Sequence, residues 1–166
     1  MIIGEAMMTA KVEATYIARH SGAPMEYLHE AKLIAGQGIV GDRYFSGTGT
    51  FSKKLNGLPD REITLIEAEE IDSFNAQHGF SFNYGDMRRN IITRGVRLND
   101  LVQKEFLIGS VIFSGIRLCE PCAHLAGLVA PEVLKGLVHR AGLRASIMTS
   151  GTIKAGDPIT GAAIND

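Results

Sequence analysis

The chain has 166 residues, of which 45% are hydrophobic and 21% are charged, and its formal net charge is −1. This length and composition predict one globular domain, residues 1–166, with a buried core. The near-zero charge provides no field for nucleic acid or an anionic membrane, and no apolar run approaches the roughly 20 residues that span a bilayer. The first residues lack the basic and apolar regions of a secretory signal. We therefore expect a cytoplasmic protein without a nucleic-acid or membrane partner.

Segments rich in β-branched residues, separated by glycine turns, predict β-strands along most of the chain. In the first of them, Val12, Ala14 and Tyr16 alternate with polar neighbours, as in a half-buried strand. The predicted strand segments are residues 11–18, 27–36, 61–66, 89–95, 105–118 and 144–153. Gly109 interrupts the fifth segment and predicts a hairpin or bend there.

Two segments predict helices. Glu67 to His78 has acidic residues in its first turn, an apolar side and a glycine after it. The second predicted helix begins at Pro131 and ends at Gly142. Residues 46–60 are polar and glycine-rich, which predicts a long loop. Many short strands and few helices favour a β-rich, barrel-like fold over a parallel doubly wound sheet.

Both cysteines lie in "LCEPCAHLAG", residues 118–127, as Cys119 and Cys122. A structural zinc site usually needs two separated ligand pairs, and the spacing of His124 and His139 is unlike that of a zinc finger. Haem attachment needs histidine directly after the second cysteine, where this chain has Ala123. These comparisons argue against a structural zinc site built from the pair and against covalent haem.

The pair could also be a redox-active dithiol, because proline precedes the second cysteine in many dithiol oxidoreductases. However, that function needs a βαβ unit around the motif, which the β-rich upstream sequence does not predict. Cys119 continues an apolar strand and could simply be a core residue. Cys122 follows the predicted strand, near His124, where neighbouring basic groups could stabilise a thiolate.

Basic residues next to glycine turns form three further clusters. Each could be an ordinary solvated charge, but together they could anchor a phosphate or an acidic heterocycle. The residues concerned are Asp42 and Arg43, then Arg88, Arg89, Asn90 and Arg94, and finally Arg144.

The order of these motifs resembles that of the MOSC domain, the module named for the C-terminal part of molybdenum-cofactor sulfurases. The resemblance covers about residues 32–159. It is carried by "GIVGDRY" (38–44), "GDMRRNIITRGVRLNDL" (85–101), "FLIGSVIFSGIRLCEPC" (106–122) and "GLRASIMTSGTIKAGDPI" (142–159). It implies a barrel related to the β-domain of pyruvate kinase.

The resemblance also implies a site for molybdenum cofactor (molybdopterin), with the Cys122 thiolate as a ligand of the metal. A soft thiolate suits such a metal, and the cofactor's phosphate needs arginines and backbone donors. The implied cofactor-binding residues are Asp42, Arg43, Arg88, Arg89, Asn90, Arg94 and Arg144. Relatives that reduce N–O bonds of N-hydroxylated bases have Glu-Asn where this chain has Arg89-Asn90. That activity on a small molecule is therefore an expectation only.

Small proteins of this family have also been proposed to carry sulfur, which gives an alternative to the oxidoreductase. Cys122 would then hold a persulfide for delivery to a metal–sulfur centre, and Cys119 could release the sulfur by forming a disulfide. The chain has no pyridoxal-phosphate domain to generate the persulfide, so a sulfur donor protein would be needed. A reductase would instead need a redox partner. In either case Cys122, Cys119 and His124 are the catalytic candidates.

Overall fold

The computed structural model describes residues 9–47 and 61–161, which form eleven short strands and four short or medium helices. The strands are β1 (Lys11–Ile17), β2 (Glu26–Tyr27), β3 (Ala31–Ile34), β4 (Gly38–Ile39), β5 (Ile63–Glu67), β6 (Ile91–Arg94), β7 (Glu105–Ile108), β8 (Val111–Leu118), β9 (Leu143–Ile147), β10 (Gly151–Ile153) and β11 (Ile159–Thr160). The helices are α1 (Arg43–Ser46), α2 (Ala68–His78), α3 (Ala123–Leu128) and α4 (Val133–Gly136), with 3-10 turns at Tyr84–Met87 and Leu98–Leu101.

Eight strands form one curled sheet in the order β11-β7-β8-β9-β5-β6-β1-β2. The Val12 amide donates to the Asp157 carbonyl at 2.9 Å, and the Ile159 amide donates to the Ala10 carbonyl at 2.9 Å. These bonds bring β1 back to the segment that contains β11, so the sheet curls into a half-barrel. The prediction of a mainly β, barrel-like fold is confirmed.

Apolar side chains pack on both sides of the curled sheet. Inside the curl lies a core that includes Ile63, Leu65 and Phe113, and the small sheet β10-β3-β4 adds side chains such as Leu33. Outside it, α2 connects the parallel strands β5 and β6 and packs on the sheet through residues such as Phe74. Every residue of β5 and β9 is buried because these central strands are covered on both faces.

The structure confirms some predicted elements and corrects others. Helix α2 and the hairpin of β7 and β8 lie where the sequence predicts them. The predicted strand 27–36 is interrupted, since only Glu26–Tyr27 and Ala31–Ile34 are extended. Residues 48–60 of the predicted loop lie outside the described residues, whereas Ser46 belongs to α1.

The prediction of a helix from Pro131 to Gly142 is wrong, because only Val133–Gly136 is α-helical. Beyond it, His139 takes a left-handed backbone conformation (φ 60°), and its amide donates to the Glu120 carboxylate at 2.7 Å. This contact with a distant residue overrides the local helical pattern. Leu134 and Val138 of this segment are exposed.

Gly142 permits the close approach of the segment before β9 to β5, and this gives our first prediction. Its φ is +111°, and a Cβ there would lie 1.8 Å from the Leu65 carbonyl oxygen. Overpacking costs about 1–3 kcal/mol, and a left-handed residue about 1–2 kcal/mol. Gly142→Ala should therefore lower the free energy of unfolding by about 2–5 kcal/mol in urea titrations. The control Gly127→Ala, where nothing lies within 4 Å of the added carbon, should have little effect. Equal effects would contradict this account.

Candidate functional site

A cleft of about 240 Å³ opens where α1, β5, β8, β9 and α3 meet. It gathers side chains from distant parts of the chain, both thiols among them. Its lining residues are Arg43, Tyr44, Thr64, Arg88, Arg89, Arg117, Cys119, Glu120, Pro121, Cys122, His124, Leu125 and Arg144.

Positive charge dominates this cleft. Five of the ten arginines of the sequence line it, although the whole chain is nearly neutral. Among the described lining residues, Glu120 is the only acid, and its carboxylate lies 2.6 Å from the His139 ring nitrogen Nδ1. Such a concentration of guanidinium groups favours an anionic ligand.

A buried polar network beneath the cleft positions its floor. The Asp42 carboxylate, which is completely buried, accepts hydrogen bonds from the amides of Ala18 and Tyr44 and from the side chains of Arg43 and Asn90, at 3.1–3.2 Å. Asp42 is also the N-cap of α1. One carboxylate thus ties the end of β1, the start of α1 and the entrance of β6 together.

Asn90 extends the network to β5. Its side-chain oxygen accepts from both the amide and the hydroxyl of Thr64 at 3.1 Å. Its side-chain nitrogen donates to the Tyr16 carbonyl and to Asp42. The amide side chain is therefore fully used beneath the cleft, and Asn90 positions its neighbours without lining the cavity.

Backbone carbonyls hold the arginines of the floor. Arg43 donates to the Arg88 carbonyl at 3.2 Å, and Arg88 donates to the Ala23 carbonyl at 2.8 Å. Arg89 donates to the carbonyls of Ala141 and Cys119 at 2.9 and 3.2 Å. A guanidinium has five N–H groups, so these bonds orient each group and leave donors for a ligand.

The surroundings of Arg88 change the pKa of its side chain. Burial and the neighbouring Arg43 charge lower the pKa of the Arg88 guanidinium, while Asp42 opposes the shift. The lowered pKa means that its charged form is less favourable here than in water. A bound anion would relieve that cost.

The two cysteines have different surroundings in the same cleft. Cys119 is 3% exposed and follows β8, and its amide donates to the Gly142 carbonyl at 2.8 Å. Cys122 is half-buried and is the N-cap residue of α3, a short helix that is not among the helices predicted from the sequence. His124 lies exposed in the first turn of that helix. Both thiols are free.

The structure brings together most, but not all, of the residues singled out in the sequence. Arg43, Arg88, Arg89, Arg144, Cys119, Cys122 and His124 line the cleft. Asp42 and Asn90 lie beneath it. Arg94 lies elsewhere: it donates to Glu13 at 2.9 Å and to the Tyr84 hydroxyl at 2.8 Å, and the bond to Glu13 raises its pKa. The expectation that Arg94 joins the cofactor site is therefore not retained.

Sequence reasoning did not single out six of the lining residues, which are Tyr44, Thr64, Arg117, Glu120, Pro121 and Leu125. Arg117 could have been found, since it precedes Cys119 by two positions and side chains two apart on a strand share a face. Tyr44 lies in the "GDRY" motif, and its ring is 4.8 Å from the Arg43 guanidinium carbon. Nothing local in the sequence indicates Thr64.

Residues 9–47 and 61–161 contain no group of three or more His, Cys, Asp or Glu side chains placed to hold a metal ion. No helix within these ranges has both the length and the apolar character needed to cross a membrane.

The model of the MOSC domain matches residues 52–160, about two thirds of the chain, so the chain belongs to the MOSC domain family. The crystal structure of the YuaD protein from Bacillus subtilis is similar in fold (TM-score 0.77, 19% identity, 92% of this chain and 94% of that chain covered). The fold is also similar to that of YiiM from Geobacillus stearothermophilus, with a TM-score of 0.70, 14% identity, and 94% of this chain and 81% of that chain covered. YiiM from Escherichia coli is similar as well, with a TM-score of 0.62, 17% identity, and 90% of this chain and 68% of that chain covered. No curated protein matches the chain significantly.

The different burial of the thiols predicts different reactivity. Iodoacetamide at neutral pH should modify half-buried Cys122 well before Cys119, which is 3% exposed. Peptide mass spectrometry over a time course would measure both rates, and urea-unfolded protein would serve as the control in which the difference shrinks. Equal rates in the folded protein, or faster modification of Cys119, would contradict the placement of Cys122.

The buried network predicts a large cost for losing the Asp42 carboxylate. Asp42→Ala leaves the Arg43 charge, 6% exposed, without its ion-pair partner. Breaking a buried pair in this way costs about 3–5 kcal/mol. The matched control Asp72→Ala removes a 51% exposed carboxylate paired with Arg94, so it should cost about 1 kcal/mol or less. Urea unfolding would compare the two variants, and a similar small loss in both would disprove the structural role of Asp42.

Proposed function

We propose that this chain binds molybdenum cofactor in the arginine-lined cleft, with Cys122 as a thiolate ligand of the metal. The MOSC family binds this cofactor in general. The observation that carries the proposal for this chain is the convergence of a free, half-buried thiol and fixed arginines from three separate motifs on one cleft.

The residues present fit the chemistry of the cofactor. Arg43, Arg88 and Arg89 offer charged donors to a dianionic phosphate, and backbone carbonyls orient them before it binds. Cys122 offers the soft sulfur that a thiophilic metal prefers. The Tyr44 ring beneath Arg43 keeps that guanidinium in place from the other side.

The activity we propose is the reduction of an N–O bond in a small molecule. The bound cofactor would supply the metal centre that exchanges electrons with the substrate. Cys122 would hold the metal, and the fixed arginines would hold the other end of the cofactor. His124, at the exposed start of α3, would carry a proton to the leaving oxygen. A separate redox partner protein would supply the electrons.

One observation supports a second candidate, a sulfur carrier with a persulfide on Cys122. Cys119 lines the same cleft, so a second thiol is available to release sulfur by forming a disulfide. A sulfur donor protein would have to load Cys122. A thioredoxin-like dithiol enzyme has less support, because the motif follows a strand with antiparallel neighbours and precedes a helix of six residues.

Cofactor retention tests the proposal. The chain should be purified from a host that makes molybdenum cofactor, and molybdenum and pterin measured per mole of protein alongside a thermal melt. Cys122→Ser should lose most molybdenum, whereas Cys119→Ser should retain it.

Arg88→Ala should weaken cofactor binding about ten- to a hundredfold, since a charge-assisted hydrogen bond is worth about 1.5–3 kcal/mol. Arg88 is a sharper test than Arg89, because its loss leaves one described carbonyl, that of Ala23, without this donor, whereas loss of Arg89 affects the carbonyls of both Cys119 and Ala141. Arg140→Ala, an exposed arginine outside the cleft, is the control. A wild-type protein without molybdenum from the producing host would overturn the proposal. Retention of full cofactor by folded Cys122→Ser and Arg88→Ala would also overturn it.

A further inference from the structure

Tyr44, at the start of α1, has a hydroxyl group that makes no hydrogen bond within residues 9–47 and 61–161. The residue is only 5% exposed. Its main chain is engaged, since its amide donates to the Asp42 carboxylate at 3.2 Å and its carbonyl accepts from Arg61 at 3.4 Å. The O–H of a buried tyrosine usually has a partner, so this hydroxyl needs an explanation.

The Tyr44 hydroxyl is open to the cleft. Within the described part of the chain, Oε1 of Glu69 is the only buried side-chain oxygen or nitrogen without a hydrogen-bond partner. The Tyr44 hydroxyl also lacks such a partner there, so it must be within reach of solvent. Because the rest of the residue is almost completely covered, the hydroxyl meets solvent through the cleft that Tyr44 lines.

The ring of Tyr44 lies at the arginine end of the cleft. The ring centroid is 4.8 Å from the Arg43 guanidinium carbon, and Arg43 donates to the Arg88 carbonyl at 3.2 Å. Burial and the Arg43 charge lower the pKa of Arg88, whereas Tyr44 and Asp42 oppose the shift, so the phenol lies within electrostatic reach of Arg88. None of the hydrogen bonds or ring contacts of Tyr44 among the described residues is with α3, the helix that Cys122 caps.

A neutral hydroxyl in this position suits a phosphate group. A phosphate monoester has three terminal oxygens that accept strong hydrogen bonds. Arg43 and Arg88 already repel each other, which is one cause of the lowered pKa of Arg88, and a further cation would add to that cost. A tyrosine hydroxyl adds a donor without adding charge. It can also accept the hydrogen of a protonated phosphate, which a guanidinium cannot do.

We propose that the Tyr44 hydroxyl donates a hydrogen bond to a phosphate group that Arg43 and Arg88 hold in the cleft. The two parts of the side chain then have separate roles, because the ring packs on the Arg43 guanidinium and the hydroxyl contacts the ligand. That the phosphate is the one of molybdenum cofactor rests on the proposed function, whereas the donor role of Tyr44 does not.

Inorganic phosphate tests this role without the cofactor. The full chain, made in a host that lacks molybdenum cofactor, would be titrated with phosphate in a calorimeter near neutral pH and at low ionic strength. Tyr44→Phe removes the hydroxyl and keeps the ring that packs on Arg43. The matched control is Tyr27→Phe, which removes the hydroxyl of a tyrosine that is 56% exposed and does not line the cleft.

Wild-type protein should bind phosphate, and Tyr44→Phe should bind it about tenfold more weakly, because a hydrogen bond to a charged acceptor contributes about that factor or more. Tyr27→Phe should bind phosphate like the wild type. Without phosphate, Tyr44→Phe should melt at the same temperature as the wild type, since its hydroxyl makes no hydrogen bond within the described residues. Added phosphate should then raise the melting temperature of the wild type more than that of Tyr44→Phe.

Three outcomes would overturn the inference. Wild-type protein that does not bind phosphate would show that the cleft has no phosphate site. Equal phosphate affinities of the wild type and Tyr44→Phe would show that the hydroxyl is not a donor to the ligand. A marked drop in the melting temperature of Tyr44→Phe without phosphate would show that the hydroxyl supports the fold instead.

The inference and the proposed function can fail separately, because these titrations involve no molybdenum. A chain that lacks cofactor when purified from the producing host, but binds phosphate through Tyr44, would refute the proposed function alone. A chain that retains the cofactor, but whose Tyr44→Phe variant binds phosphate like the wild type, would refute the inference alone.

Discussion

The Asp42 carboxylate is the contact on which the rest of the site depends. It is completely buried and accepts four hydrogen bonds, two from main-chain amides and two from side chains. An unpaired buried carboxylate would be very unfavourable, so the chain must bring β1, α1 and Asn90 to it. The same bonds place Arg43 and, through its bond to the Arg88 carbonyl, the loop that carries Arg88. The hydrogen bonds that satisfy the buried Asp42 carboxylate thus also fix the floor of the cleft.

The floor then collects positive charge that carboxylates among the described residues neutralise only in part. The described partners of Arg88 and Arg89 are carbonyl oxygens, which orient a guanidinium without cancelling its charge. The whole chain has a net charge of −1, so this concentration of positive charge is local to the cleft. The consequence is a cleft in which oriented guanidinium groups lie next to a thiol. The proposed binding site rests on these two features together.

The element predictions succeeded where local pattern and tertiary contacts agree. Helix α2 has acidic residues at its start, a single apolar face and Gly79 at its end, and each feature acts within the helix. The predicted helix from Pro131 failed because Glu120 accepts a hydrogen bond from the amide of His139, whose backbone is in a non-helical conformation. Arg94 failed as a site residue for a similar reason: Glu13, 81 positions away, binds it at another place on the fold.

The sequence by itself determined the β-rich class, the MOSC motifs and the particular thiol and arginines to consider, because these follow from residue type, spacing and order. Only the tertiary structure decided which of them meet. Thr64, Arg117 and Arg144 become neighbours through strand register, and Asp42 and Asn90 become supports because they lie beneath the cleft. Register and burial arise from contacts between residues far apart in the chain, which local periodicity does not encode.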